Sequence, residues 1–220
     1  MGLRAATLMA AVVSTSAFSE STLTTKIGAD LWFPKTKVNE VNRESDTNAS
    51  FSFALEHQLN YVPDARVRYS TVDADYMAFD KLDLTLYYQI VEHDLMRFDA
   101  GMTFSDLSNT KYINADTQQK KYFDEQIWAW FGYGEIAVPN TNLDIIGEIN
   151  FGDNNGIKST DLIAALQYRL PLGSSVLALR GGYRVIDLES DSVFKVDENS
   201  QLGKPFIFAN GFFAGAELSF

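Results

Sequence analysis

Apolar and polar residues alternate along about ten segments of this chain, and within each segment the charged side chains keep to one of the two faces. In 81–90, Leu82, Leu84, Leu86, Tyr88 and Ile90 fall on one face and Lys81, Asp83, Thr85, Tyr87 and Gln89 on the other. Val67 and Tyr69 likewise oppose Arg66, Arg68 and Ser70. Leu162, Ala164, Leu166 and Tyr168 oppose Asp161, Gln167 and Arg169, and Leu177, Leu179, Tyr183 and Val185 oppose Arg180 and Arg184. Period two puts such sets on opposite faces of a sheet. A charge-free face backed by a charged one, over roughly 10 residues, suits the strand of a transmembrane β-barrel. A soluble antiparallel barrel has the same period with its faces reversed, so other features must choose between the two.

The pattern predicts ten strands, near 24–33, 49–59, 65–73, 81–90, 95–104, 126–138, 143–152, 160–169, 176–187 and 206–220. Short connections fall near 60–64, 91–94, 139–142 and 170–174; longer or more polar ones fall near 34–48, 74–80, 105–125, 153–159 and 188–205. Short turns at one end and long loops at the other are the habit of up-and-down outer-membrane barrels. Eight strands remain an alternative if the third strand or the first half of the sixth is irregular. Segment 126–138 is apolar on both faces at Trp128-Ala129-Trp130-Phe131 and is oriented by Glu135.

The inward faces are read to hold eight acids (Asp30, Glu56, Asp83, Asp99, Glu135, Glu148, Asp161, Glu217) and eight bases (Lys26, Arg66, Arg68, Lys81, Arg97, Arg169, Arg180, Arg184). The outward faces are read as free of charge, as expected where an Arg or Lys at the bilayer midplane costs about 2–4 kcal/mol. Equal numbers of opposite charges can pair and fill a lumen, and small barrels are generally filled by side chains. The expected network joins Arg66, Arg68, Arg97, Arg180 and Arg184 to Glu56, Asp83, Asp99, Glu135 and Glu148. Strand adjacency sets Glu56 beside Arg66 and Arg68, and Asp83 beside Arg97.

The ends decide for the membrane. Arg4, the apolar run 5–13 and the small residues Ala17 and Ser19 read as a cleaved signal peptide over 1–19, leaving a barrel domain over 20–220. That run is too short to span a bilayer, which takes about 20 residues of helix. No later segment offers 18 apolar residues, yet 46% of the chain is hydrophobic and 13% aromatic, as a strand-built membrane protein allows. Trp32, Phe33, Trp128 and Trp130 read as one interfacial band, and Tyr61, Tyr88, Tyr168 and Phe220 as the other. The absence of cysteine excludes disulfides, a thiol nucleophile and Cys-ligated zinc. The net charge of −11, or −12 once Arg4 is removed, argues against nucleic acid as a partner.

Four stretches resemble a known family: 83–88, 133–139, 182–188 and the terminal Gly211-Phe212-Phe213-Ala214-Gly215-Ala216-Glu217-Leu218-Ser219-Phe220. They are similar to a gammaproteobacterial outer-membrane family, the Gly-Gly outer-membrane proteins, of uncharacterised function. The similarity covers most of the chain after residue 19. It implies a Gram-negative outer-membrane barrel, and it brings no catalytic residues. The chain is expected to stand amid outer-membrane lipid and lipopolysaccharide, as a monomer and without cofactor. The last strand, with Gly215, Leu218 and Phe220, also resembles the signal read by the barrel-assembly machinery, which with periplasmic chaperones would be a partner in biogenesis. Phe213 stands where that signal usually has a polar residue.

Chemistry beyond this is sparse. Known barrel enzymes resemble one another in placing a histidine near the external rim, where general-base work favours that side chain. This chain has two, His57 and His93, both expected at the periplasmic end, so an enzyme is disfavoured. Asp73, Asp75 and Asp80, and separately Glu189, Asp191, Asp197 and Glu198, could offer oxygens to a divalent cation but read as solvated loops. Asp153-Asn154-Asn155-Gly156 reads as a turn. Gly181-Gly182 reads as relief of crowding within a strand. The leading expectation is a non-enzymatic barrel with a filled lumen, serving envelope structure or surface interaction. The alternative is a narrow conduit for small or apolar solutes, suggested by Trp128, Trp130, Phe131, Phe206, Phe208 and Phe212-Phe213.

Overall fold

The computed structural model describes residues 23–38, 41–43, 46–59, 61–74, 77–113, 118, 120–190 and 206–220. The expected signal peptide lies outside the described residues. Ten long strands alternate in direction: β1 (Leu23–Val38), β3 (Asn48–His57), β4 (Asp64–Ala74), β5 (Met77–His93), β6 (Met96–Ile113), β8 (Glu125–Ala137), β9 (Leu143–Asn154), β10 (Ile157–Leu172), β11 (Ser175–Glu189) and β12 (Phe206–Ser219). Each pairs with the next, and β12 returns to β1 in register from Lys26↔Ser219 to Val38↔Ile207. The sheet is therefore a closed antiparallel up-and-down barrel of ten strands, as the alternation predicts. Closure leaves no long edge open to another chain. Two short strands, β2 (Val41–Arg43) and β7 (Lys120–Lys121), extend the distal ends of β1 and β6.

Leu23 and Phe220 lie at the same rim, where Thr25 and Phe220 exchange backbone hydrogen bonds of 2.8 and 3.0 Å. We call this the terminal rim and the opposite one the distal rim. The turn at 155–156 has positive φ at Asn155 (52°) and Gly156 (75°), the backbone of a two-residue hairpin that matches strand twist.

Along the middle of the barrel the outer face is apolar and open to its surroundings, with Leu31, Phe53, Leu84, Phe104, Trp130 and Leu166 each more than two-fifths exposed. Charged side chains point inward. This inside-out section is the part that lipid can surround. Towards the distal rim the arrangement reverses. Val72, Met77, Phe79, Leu107, Ile186, Leu188 and Ile207 turn inward and are buried, while Asp73, Asp80, Asp106, Asp187 and Glu189 lie on the outer side. The barrel thus continues past its lipid-facing belt as a collar with an ordinary apolar core.

The collar corrects the expected loops. β6 runs on to Ile113 through the stretch read as a loop over 105–125, β5 begins at Met77, and only Asn155 and Gly156 separate β9 from β10. Asn109, at φ 50°, marks the register shift between Ala78 and Asp80 on β5. This extra residue moves the inward positions of β6 from odd (103, 105, 107) to even (110, 112). A bulge of this kind shifts the alternation by one residue. The outward faces are charge-free only within the belt: Asp73 and Asp187, inside predicted strands, lie on the outer face of the collar. Asp64 and Asp144 add two acids to the interior, each nearly fully buried, so inward acids outnumber the eight bases.

Candidate functional site: the charged lumen

The interior charges arrange in two layers. The layer nearer the terminal rim is built by β1, β3, β5, β6, β11 and β12. Glu56 accepts from Lys26 Nζ (2.8 Å), from Arg97 Nη2 (2.9 Å) and from the Tyr87 hydroxyl (3.0 Å). Arg97 also holds Asp99 at 2.7 Å. On the neighbouring strands β11, β12 and β1, Arg180 donates to Asp30 (3.0 Å) and Glu217 (3.1 Å). Gly215 makes room for that bridge, because a Cβ there would strike the Asp30 carboxylate. Gly101 likewise leaves space for the Tyr87 backbone and Cβ. These side chains surround a chamber of about 70 Å³, whose lining includes Arg66, Phe131 and Tyr133.

The central layer is tighter. Arg66 grips Glu148 with two bonds of 2.7 and 2.9 Å. Arg68 reaches Glu148 (2.8 Å), Asp83 (3.2 Å) and Asp161 (3.2 Å). Lys81 sits between Asp83 (2.9 Å) and Asp161 (3.1 Å), and Arg184 closes on Asp161 through Nε (3.0 Å) and Nη2 (2.8 Å). The Ser105 hydroxyl donates to Asp83 at 2.6 Å. The side chains of Arg68, Lys81, Asp83, Asp161 and Arg184 are no more than 6% exposed. Three carboxylate–guanidinium pairs here join β4 to β9 and β10, on the opposite side of the barrel. Above this layer Arg184 lies over the Trp32 ring at 5.3 Å, and the apolar core of the collar begins.

The structure brings Arg66, Arg68, Arg97, Arg180, Arg184, Glu56, Asp83, Asp99 and Glu148 into ion pairs. Glu135 makes no ion pair among the described residues and instead accepts the Tyr133 hydroxyl at 2.8 Å. Two expected pairings are not made. Glu56 goes to Lys26 and Arg97 while Arg66 and Arg68 cross the lumen. Asp83 stands opposite Ser105 on β6, eight residues from Arg97, or roughly 26 Å along a strand. It pairs instead with Arg68, its direct partner on β4. Lys81 and Asp161 were the central residues the pairwise reading left out. Their inward phase is visible in the sequence, but the bond that joins them to each other spans 80 residues.

Trp32 is not an interfacial aromatic. It points inward, 3% exposed, and its indole N–H donates to the Gly211 carbonyl at 3.2 Å. Trp128 and Trp130 do face outward and meet edge to face at 5.7 Å. Tyr88 and Tyr168 are also outward, and the Tyr88 hydroxyl donates to the Tyr61 carbonyl at 3.1 Å. Of the aromatics that suggested a conduit, Phe131 and Phe213 face the lumen. Phe131 packs on Tyr87 at 5.5 Å and under Arg66 at 5.0 Å. Gly215 and Leu218 lie in β12, opposite Asp30 and Ile27, and Phe220 follows its end. Gly182 packs against the β10 backbone, where a Cβ would strike Ala164 and Ala165.

Both histidines lie towards the terminal rim. The backbone N–H of His57 donates to Asp64 at 2.8 Å, its Nδ1 accepts from Leu59, and His93 ends β5 exposed. Asp73 and Asp80 are on the collar's outer face, and Glu189 accepts from Lys158 at 3.1 Å. Asp75, Asp191, Asp197 and Glu198 lie outside the described residues.

No protein-family model matches the chain, and no curated protein matches it. Among solved structures it is similar to the outer membrane protease OmpT from Escherichia coli, at TM-score 0.49 and 11% identity, covering 94% of this chain and 99% of that one. It is also similar to the translocator domain of autotransporter NalP from Neisseria meningitidis (TM-score 0.47, 11% identity, 92% and 89% covered). Neisserial surface protein A is a further likeness, at TM-score 0.38 and 10% identity, with 90% and 96% covered. These likenesses assign no activity to this chain.

Proposed function

We propose that this chain is a non-enzymatic outer-membrane barrel of a Gram-negative bacterium, with a closed lumen, serving envelope structure or interaction at the cell surface. The observation that carries this reading is the central layer of Arg68, Lys81, Asp83, Asp161 and Arg184, nearly free of exposure and backed on its distal side by buried apolar side chains. A solute would have to break several charge-assisted bonds and then displace a packed core. On this reading the terminal rim faces the periplasm, the collar stands outside the cell, and residues 1–19 are removed on export. The four stretches that resemble the Gly-Gly outer-membrane family fit this placement, as does the acid-rich outer side of the collar. Neither histidine approaches the distal rim, which supports a role without catalysis. Purified protein in planar bilayers is expected to give no steady conductance. A stable, large conductance would overturn the closed-lumen reading and move the conduit into its place.

A further inference from the structure

The outer wall made by β11, β12 and β1 differs from the rest of the barrel surface. Phe212 on β12 is 70% exposed, the highest of any large apolar side chain on the described barrel strands, and it meets Tyr183 edge to face at 5.1 Å. Towards the terminal rim from that ring the wall is hollow, because the outward neighbours Gly181, Ala214, Ala216 and Ala29 are all small. At collar height the outer midline is Phe208, flanked by Asp187 on β11 and by the exposed Lys35 on β1. Neither charge makes an ion pair among the described residues, and one oxygen of Asp187, Oδ1, is buried with no hydrogen-bond partner. Lys158, on the far side of Asp187, is held by Glu189 at 3.1 Å. Strand stagger fixes the heights of the two free charges. Following cross-strand partners once round the barrel from Thr25 leads through Asp187 and Phe208 back to β1 at Lys37, twelve residues on. Over ten strands the stagger is about one residue per strand. Lys35, two residues short of Lys37 and two strands from Asp187, therefore stands level with Asp187.

We propose that β11, β12 and β1 form a twofold interface with a second copy of this chain, in place of the monomer expected from the sequence. The interface rests on the belt lying in a bilayer, as proposed above, because copies inserted the same way in one membrane are related by an axis along its normal. Such an axis in front of β12 sets β11 of each copy against β1 of the other, at equal height. Asp187 then meets the partner's Lys35, and the pair recurs on the other side of the axis. The Phe212 rings approach across the axis, and the small residues beside them let the two walls close, the packing that joins transmembrane surfaces in lipid. A phosphate-bearing lipid on this wall would suit Lys35 and be repelled by Asp187 and Glu189. A second copy satisfies both signs.

The test labels the full chain with donor or acceptor dye at Tyr61→Cys on the terminal rim, reconstitutes it in liposomes, and reads energy transfer against the protein-to-lipid ratio. Transfer well above that of randomly placed monomers is expected. Lys35→Asp and Asp187→Lys are each expected to weaken association about tenfold, the effect of reversing two symmetry-related exposed pairs. The two substitutions together exchange the charges and are expected to restore association to within about twofold. Thermal unfolding checks that each variant keeps the barrel. In the chain without the dye site, Ala214→Cys is expected to give a disulfide-linked pair on oxidation, whereas Phe104→Cys, on the opposite wall, gives only collisional linking. Transfer at the random level, single variants that associate as the unaltered chain does, no recovery in the exchanged pair, or equal linking from positions 104 and 214 would overturn the inference. Failure of the chain to float with the liposomes would instead overturn the membrane reading beneath it.

Discussion

Phe79 and Leu84 are five residues apart on one strand, both large and apolar, yet one is 2% exposed inside the barrel and the other 42% exposed outside it. The strand does not twist over between them. The environment on each side changes, and the sequence changes with it, so that Asp80 lies outward just below Phe79 and Lys81 inward just above Leu82. The same reversal occurs on β10 between Ile157 and Leu162, and on β11 between Arg184 and Ile186. In the collar, burial of apolar surface stabilises the interior as in a soluble barrel. In the belt, the outer face gains from lipid, and the interior is held by ion pairs that must all be satisfied together.

The largest expected effect separates the two interiors. Asp161→Ala leaves Arg68, Lys81 and Arg184 short of a buried partner and is expected to cost about 3–5 kcal/mol in denaturant unfolding. Glu189→Ala, which removes the exposed pair with Lys158 in the collar, is expected to cost under about 1 kcal/mol. Equal costs would mean that water fills the central layer. The outer faces give the next test. Leu86→Arg, in the belt, is expected to cost about 2–4 kcal/mol for folding in a bilayer, whereas Asp80→Arg, in the collar, is expected to stay within about 0.5 kcal/mol. If both substitutions are tolerated alike, the boundary between the regions is misplaced.

All ten barrel strands were legible because charges in the belt never change face, and a run such as Lys81-Leu82-Asp83-Leu84 fixes its own phase. The collar was not. There the apolar residues move to the other face, so belt and collar together blur into a stretch with no single polarity. The bulge at Asn109 then shifts the alternation again, and the distal part of β6 beyond residue 104 reads as loop. Trp32 shows a conflict between two signals: its phase with Asp30 says inward, its place near a strand end says interface, and the phase is what the structure follows. The ion-pair partners were out of reach for a different reason. Arginine side chains span the lumen, so Arg66 meets Glu148 across the barrel where strand order suggested Glu56.

Smaller effects probe the collar itself. Ile186→Val, in the apolar core, is expected to cost about 0.5–1.5 kcal/mol, and Leu179→Val on the lipid face less, since lipid refills the space. Asp124 accepts from the Thr110 hydroxyl (2.8 Å) and backbone N–H (3.0 Å), and these bonds hold its carboxyl below the usual range. The contribution is present above the ordinary carboxylate pKa of about 3.9 and is lost as pH falls through the lower folded value. Exposed as this carboxyl is, the effect is small. It should appear as faster hydrogen exchange at Phe123, whose N–H donates to the Thr110 hydroxyl, and Asp124→Asn should remove the pH dependence.

The chain has no cysteine, so single cysteines can be placed along β5 from Met77 to Tyr88, spin-labelled and scanned for collision with oxygen and with an aqueous nickel complex in bilayers. Labels at 78 and 80 are expected to meet nickel, those at 82, 84 and 86 to meet oxygen, and those at 77, 79, 81 and 83 to meet neither. Nickel reaching 81 and 83 would contradict the closed lumen, and oxygen-dominated collisions at 78 and 80 would contradict the collar.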